Sequence, residues 1–262
     1  MKTELLEFKN SKNQTLRGIL VLPNRTKKAV IMMAGFEGSA TTEKKFKALS
    51  DELYKKGIAS FRFDYTGCGI SDGDFGKITI AQITNDLERA YDALKRKIGL
   101  NQISITAHSM GTCAIANLES KNIFDKIILL APALNQKELL RYWLVQHEEE
   151  KNNPKFTITW KNFRKFLDEN KFLEFSRRTD RMTHSNYISS EYYMENAEKN
   201  YTNLLVDRKV FLIHGEKDDV VPIESLENKL KTNVLVKNGD HDLERPDMIK
   251  QWTNKVVNYI VK

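Results

Sequence analysis

Short apolar runs recur along this chain, and stretches of helical period separate them. The runs "AVIMMA" (Ala29–Ala34), "IILLA" (Ile127–Ala131) and "VFLIH" (Val210–His214) barely alternate between apolar and polar residues, and "ISITA" (Ile103–Ala107) is a further short strand-like run. A strand with one wet face alternates every second residue, whereas a run that does not is covered on both faces. Between the runs, Glu43–Lys56 carries Phe46, Leu49 and Leu53 at helical spacing, and Ile80–Ile98 carries Ile83, Leu87, Ala90 and Leu94. At the C-terminus Met248, Trp252, Val256 and Ile260 stand four apart, a single apolar stripe on a helix. Alternating strands and helices predict the α/β class, with a mostly parallel sheet and helices on both faces. Ala59–Phe63 and Asn233–Val236 complete the parallel set. Leu5–Phe8 and Leu16–Leu22, joined by the turn-rich "NSKNQT", predict an antiparallel hairpin at the start.

One segment breaks the rhythm. From Leu134 to Leu205 the sequence is charged, aromatic and helix-leaning, as in "NQKELLRYWLVQHEEEKNN" and "WKNFRKFLDENKFLEF", with no convincing strand. Pro154 within "KNNPK" predicts a break between two helical pieces. A loop this long without structure is uncommon inside a compact domain. The expectation is therefore a core of residues 1–133 and 206–262 interrupted by a helical cap, residues 134–205. The cap's aromatics, Trp143 and Trp160 foremost and Phe156 among them, are candidates to line a substrate pocket; aromatics at this spacing more often form the cap's own core.

Charge and cysteines exclude several function classes. The 42 basic and 35 acidic residues leave a formal charge of +7, yet the lysines are spread along the chain and mostly alternate with acids. That pattern predicts a solvated surface rather than a nucleic-acid site. No apolar run approaches the roughly 20 residues of a membrane span, and "MKTELLEFKN" has no apolar leader core. Cys68 and Cys113 make neither a metal cluster nor a disulfide framework, so a reducing cytoplasm is expected. Oligomeric state leaves no mark in the sequence.

The chemistry gathers around "ISITAHSMGTCAIANL" (Ile103–Leu118). A buried strand runs into a helix, and Ser109 falls on the sharp turn between them with Ala107 and Gly111 two residues to either side. Such a turn exposes the hydroxyl at the carboxyl edge of the sheet and leaves room only for small flanking residues. A serine hydroxyl needs a base, and the base an orienting acid. "VFLIHGEKDDVVP" supplies Asp218 and Asp219 after one strand, and "VLVKNGDHDLERP" supplies His241 after the next. Asp218 is favoured over Asp219 because it completes "HGxxDxxVP". His108, His147, His184 and His214 are weaker candidates for the base, and His108 is expected to point away from Ser109. A developing oxyanion needs N–H donors. Met110, directly after the serine, provides one, and Phe36, beyond Gly35 in "MAGFEGS", provides the other. Glu37 beside that donor would oppose catalysis if it pointed inward, so it is expected to face solvent or another loop.

Taken together, "AGFEGS", "FRFDYTGCGISDG", "AHSMG", "LLAPA", "HGEKDDVVP" and "GDH" resemble the α/β-hydrolase-fold serine esterases. The likeness is closest to the cinnamoyl/feruloyl esterase and monoacylglycerol-lipase-like branch. It covers residues 15–133 and 207–262 and not the cap. It implies an eight-stranded sheet, a Ser-His-Asp triad, an acyl-enzyme, a small-molecule ester substrate, no cofactor and no metal. Ala34 and Cys68 stand where that branch often has histidine, and Ala107 replaces the first elbow glycine. The same triad would also serve a thioesterase, an acyltransferase or a C–C bond hydrolase, and a non-catalytic binding protein could share the fold.

Overall fold

The computed structural model describes residues 2–152, 157–178, 181–182 and 187–262. The break expected at Pro154 and the residues Phe156 and His184 lie outside the described residues. Eight strands form one sheet: Lys2–Lys9 (β1), Thr15–Leu22 (β2), Ala29–Met33 (β3), Ala59–Asp64 (β4), Ile103–His108 (β5), Ile127–Leu130 (β6), Val210–Gly215 (β9) and Thr232–Val236 (β10). Their order is β1-β2-β4-β3-β5-β6-β9-β10. The β1–β2 and β2–β4 pairs are antiparallel, and every later pair is parallel. This is the α/β-hydrolase fold that the sequence leads one to expect.

The non-alternating runs are explained by what covers each face. On β3, Ala29, Ile31 and Met33 point to one side, where Ile80–Ile98 (α2) and Gly111–Asn117 (α3) pack with Ile83, Leu87, Leu94 and Cys113. Val30 and Met32 point to the other, against Lys44–Lys55 (α1) and Pro246–Val261 (α7), which contribute Phe46, Leu53, Trp252 and Ile260. Helix α2 starts where Thr79 accepts from the Gln82 N–H and stops at left-handed Gly99, a terminus glycine adopts without a Cβ penalty. Strand β1 alternates and is mostly exposed, as suits an edge strand with one wet face.

Between β6 and β9 lie Gln136–Asn152 (α4), Glu169–Ser176 (α5) and Ser190–Asn196 (α6). The expectation of no strand in this stretch needs correction. Arg181–Met182 (β7) pairs antiparallel with Tyr187–Ile188 (β8). A two-residue ladder is too short for a period-two pattern to register in the sequence, and its place is set from outside by the Ser189 N–H donating to Gly76 O at 2.6 Å. Helix α4 builds a small core of its own from Leu139, Tyr142 and Val145 with Ile158 and Phe163, and this core closes over Val221 in the loop after β9. Among the described residues no helix is long and apolar enough to cross a membrane.

Candidate active site

The turn from β5 into α3 is strained where the hydroxyl sits. Ser109 has φ +48°, a left-handed conformation that costs a non-glycine residue about 1–3 kcal/mol. Hydrogen bonds hold it there. The Ser109 N–H donates to Leu130 O at 2.9 Å, and Ser109 O accepts from the Thr112 N–H at 3.0 Å and the Ala133 N–H at 3.3 Å. Gly111 is required for a different reason: a Cβ there would stand 2.5 Å from Ala34 O, because the helix start presses against the end of β3. Ala107 is fully buried, so the small residue the turn demands is also a core residue.

Strands β9 and β10 deliver the other two groups to the same rim. His241 Nε2 lies 2.9 Å from Ser109 Oγ, and His241 Nδ1 lies 2.9 Å from Asp218 Oδ2. The second oxygen, Asp218 Oδ1, accepts from the N–H groups of Val220 at 3.1 Å and Val221 at 2.8 Å. Three side chains spread over more than a hundred residues of sequence thus form one continuous hydrogen-bonded chain. Asp219 does not join it. Its side chain is exposed, and only its carbonyl is engaged, accepting from the Tyr142 hydroxyl at 2.9 Å. Ser109 is 7 % exposed and the His241 side chain 13 %, so both groups are largely shielded from solvent.

The glycine-containing loop after β3 lies directly against the elbow. A Cβ on Gly35 would come within 3.1 Å of Ser109 Cβ and 2.9 Å of His108 Nδ1. Gly35 is therefore needed for its approach to the serine itself. Among the described residues the N–H groups of Phe36 and Met110 donate to no protein acceptor, and the Phe36 ring is fixed edge-on to Phe75 with centroids 5.1 Å apart. Glu37 takes a left-handed φ of +58° and is half-buried, and its charge helps raise the Cys68 thiol after the larger effect of burial. It therefore lies toward the Cys68 loop.

His108, expected to point away from Ser109, packs beside the His241 ring, with centroids 4.9 Å apart. Its Nε2–H donates to His241 O at 3.0 Å, bracing the loop that carries the imidazole. Burial, and then the nearby Lys45 ammonium, hold His108 below the usual histidine range, so it stays neutral. Behind it lies a buried ionic cluster that sequence reasoning missed. Glu43 Oε1 accepts from the Gly35 N–H at 2.9 Å, Glu43 Oε2 pairs with Lys45 Nζ at 3.0 Å, and Lys45 reaches Glu244 at 3.1 Å. Burial works against ionising Glu43, but Lys45, His108 and the Gly35 N–H together outweigh it and bring the carboxyl down to about 2. The available signal was Lys45 next to Phe46 on the apolar side of α1, an unlikely place for an unpaired ammonium.

The two candidate pocket tryptophans are engaged elsewhere. Trp160 packs against Tyr142 and Phe163, with centroids 5.4 and 5.1 Å away. Trp143 donates from Nε1 to Val220 O at 2.6 Å. With the Tyr142 hydroxyl, this ties α4 to the two residues that follow Asp218. His147 is on α4, and His214 is buried beneath Asp218, its Nδ1 3.9 Å from Asp218 Oδ2. Among the described residues no three His, Cys, Asp or Glu side chains group as a metal site would.

The family model for serine aminopeptidase, S33, matches residues 24–244. The chain belongs to that family. The match makes the S33 protein a hydrolase by descent and agrees with the resemblance carried by its motifs. A search of curated proteins returns no match. Among solved structures, Est1E from Butyrivibrio proteoclasticus with ferulic acid bound superposes with TM-score 0.73 at 18% identity, covering 98% of each chain. The Pyrococcus furiosus esterase PF2001 gives TM-score 0.70 at 18% identity, covering 99% of this chain and 90% of its own. Alpha/beta hydrolase domain-containing protein 10 from mouse gives 0.67 at 19%, covering 98% of each. At such identities the likeness is one of fold.

Proposed function

We propose that this S33-family protein is a serine hydrolase that cleaves carboxylic esters of small molecules through an acyl-enzyme. The observation that carries the proposal is the unbroken relay of 2.9 Å contacts from Asp218 through His241 to Ser109 Oγ. Ionised Asp218 accepts from the Nδ1–H, which leaves a lone pair on Nε2 facing the serine. Ser109 Oγ attacks the ester carbonyl while Nε2 takes its proton, and the carbonyl π pair moves onto oxygen. The N–H groups of Phe36 and Met110, which lack a protein acceptor, receive that oxyanion. Collapse of the intermediate expels the alcohol, protonated by the imidazolium. Water then repeats the sequence on the acyl-enzyme, with His241 as base, and releases the carboxylic acid.

Residues 134–205 form the cap in this reading, latched to the acid loop by Tyr142 and Trp143, so access to Ser109 is shaped by both parts. The reaction calls for no cofactor or metal, and the place of action is the cytoplasm. The family's name raises amide cleavage as the competing activity. A fluorophosphonate probe should add its mass at Ser109 in the wild-type protein and not in Ser109→Ala. A panel of p-nitrophenyl esters of increasing chain length, with methyl ferulate, a monoacylglycerol and aminoacyl p-nitroanilides, then assigns the bond. Turnover of anilides without esters would replace esterase with peptidase, and an unlabelled wild-type serine would remove catalysis altogether.

A further inference from the structure

The motif "FRFDYTGCGISDG" takes no part in the chemistry above, yet its tyrosine reaches the site. Tyr65 is fully buried and its hydroxyl donates to Gly35 O at 2.8 Å. Gly35 O also accepts from the Gly38 N–H at 3.2 Å. The Gly35–Phe36 peptide is trans, as are all the described peptides. In a trans peptide the C=O and the following N–H point in opposite directions. Holding the Gly35 carbonyl on the Tyr65 side therefore turns the Phe36 N–H the other way. On the preceding peptide, the Gly35 N–H is held by Glu43 Oε1 at 2.9 Å.

These bonds are needed because the site requires a glycine at that point. A Cβ on Gly35 would collide with His108 and crowd Ser109, so position 35 cannot be stiffened by a side chain. Glycine left to itself visits many backbone conformations. A flip of the Gly35–Phe36 peptide would withdraw the N–H and present a carbonyl oxygen to a developing negative charge. We infer that Tyr65 and Glu43 are positioning residues that clamp Gly35 from both sides and so keep the Phe36 N–H presented to the oxyanion. This rests on the serine-hydrolase reading. The clamp is itself anchored. Lys45 links Glu43 to Glu244, three residues beyond His241, so the oxyanion loop and the base loop share one buried support. Burial pushes the Tyr65 phenol well up, which keeps it a donor across the working pH range.

Tyr65→Phe removes one oxygen and leaves the ring in its packed place. Loss of an oxyanion donor itself typically costs about 10²–10³ in kcat, and loss of its support should cost less, roughly 10- to 100-fold. Wild type and variant are compared with p-nitrophenyl acetate and with an alkyl trifluoromethyl ketone, whose adduct with Ser109 carries an oxyanion. The expected result is a lower kcat, KM within about twofold, and ketone inhibition weakened by the same factor as kcat. A purely structural tyrosine would not produce that matched pair. Should Tyr65→Phe not fold, Glu43→Asp keeps the charge beside Lys45 but falls short of the Gly35 N–H, and it should give the same signature. If a folded variant keeps both kcat and ketone affinity within about twofold of wild type, the clamp is refuted while the hydrolase reading stands. If wild-type Ser109 takes no fluorophosphonate and no ester turns over, the hydrolase reading fails first and takes the clamp with it.

Discussion

Asp218→Asn gives the most discriminating test of the relay, because the loop around the carboxylate dictates how the amide must lie. Asp218 Oδ1 accepts from two backbone N–H groups, those of Val220 and Val221. An asparagine NH2 placed there would set donor against donor. The amide oxygen therefore takes that side, and the NH2 faces His241 Nδ1, now occupying the place of Oδ2, 2.9 Å away in the wild type. Facing a donor, His241 must accept at Nδ1 and so carries its proton on Nε2, the atom 2.9 Å from Ser109 Oγ. The base is then blocked by its own proton. The equivalent change in the chymotrypsin-type triad lowers kcat by about 10⁴, which corresponds to roughly 5.5 kcal/mol of transition-state stabilisation. The assay is steady-state hydrolysis of p-nitrophenyl acetate, with thermal unfolding to verify that the near-isosteric side chain leaves the fold intact. KM should hold, since the change acts on proton transfer rather than on binding. Asp219→Asn is the control. Its side chain is exposed and only its carbonyl is engaged, so kcat should stay within about threefold. A crippled Asp219→Asn beside a near-normal Asp218→Asn would refute the assignment of the acid.

Ser109→Ala and Ser109→Gly should both abolish turnover. The glycine variant should be the more stable by about 1 kcal/mol in urea unfolding, because φ at this position is +48° and only glycine adopts it freely. Glu43 is held down to about 2 from its ordinary 4.5. A depressed carboxyl contributes stability that is fully present above the unfolded value and lost as pH falls through the folded one. Urea midpoints of the wild type should therefore fall between pH 4.5 and 2, with a shallower fall in Glu43→Gln. Replacing both Tyr142 and Trp143 by Phe deletes the two hydrogen bonds from α4 to the acid loop. At about 1 kcal/mol each, that should speed amide exchange at Val220 and Val221 roughly thirtyfold.

The sheet was legible because burial on both faces writes itself into each strand separately. "AVIMMA" and "VFLIH" need no partner to declare their environment, and the apolar stripes at Phe46, Leu49, Leu53 and at Met248, Trp252, Val256, Ile260 declare the helices that cover them. Ser109, Asp218 and His241 were legible for a related reason: each stands just past a strand, and strand ends are countable along the sequence. The β7–β8 ladder left no mark because its position depends on Gly76 O, more than a hundred residues away. Lys45 carried a faint signal beside Phe46 on the apolar side of α1, but the roles of Glu43, Lys45 and Tyr65 depend on partners met only in the fold: Gly35 for Glu43 and Tyr65, and Glu244 for Lys45. A buried charge is recognised by its partner, and Glu244 lies far off in sequence. For Trp143 and Trp160 composition left two roles open, pocket lining and the cap's own core, and Trp160 packs on Tyr142 and Phe163 in that core.

The buried ionic cluster is harder to account for as a contribution to stability than as a device for geometry. Burying an ion pair costs desolvation that its attraction barely offsets, and apolar side chains of similar volume often replace such pairs at no loss. Here, however, the charges connect three segments: the loop after β3 through the Gly35 N–H, the start of α1 through Lys45, and the loop bearing His241 through Glu244. An apolar cluster would fill the same space but could not aim a peptide, because dispersion contacts have no direction whereas an N–H donating to a carboxylate does. A hydroxyl, an imidazole and a backbone donor arriving from three loops must agree to within a fraction of an ångström. On this argument, a Lys45→Met and Glu43→Gln double variant should keep its fold, with Tm within a few degrees of wild type, while losing kcat. Retention of full kcat by that variant would show that the charges beneath the site have no part in setting its geometry.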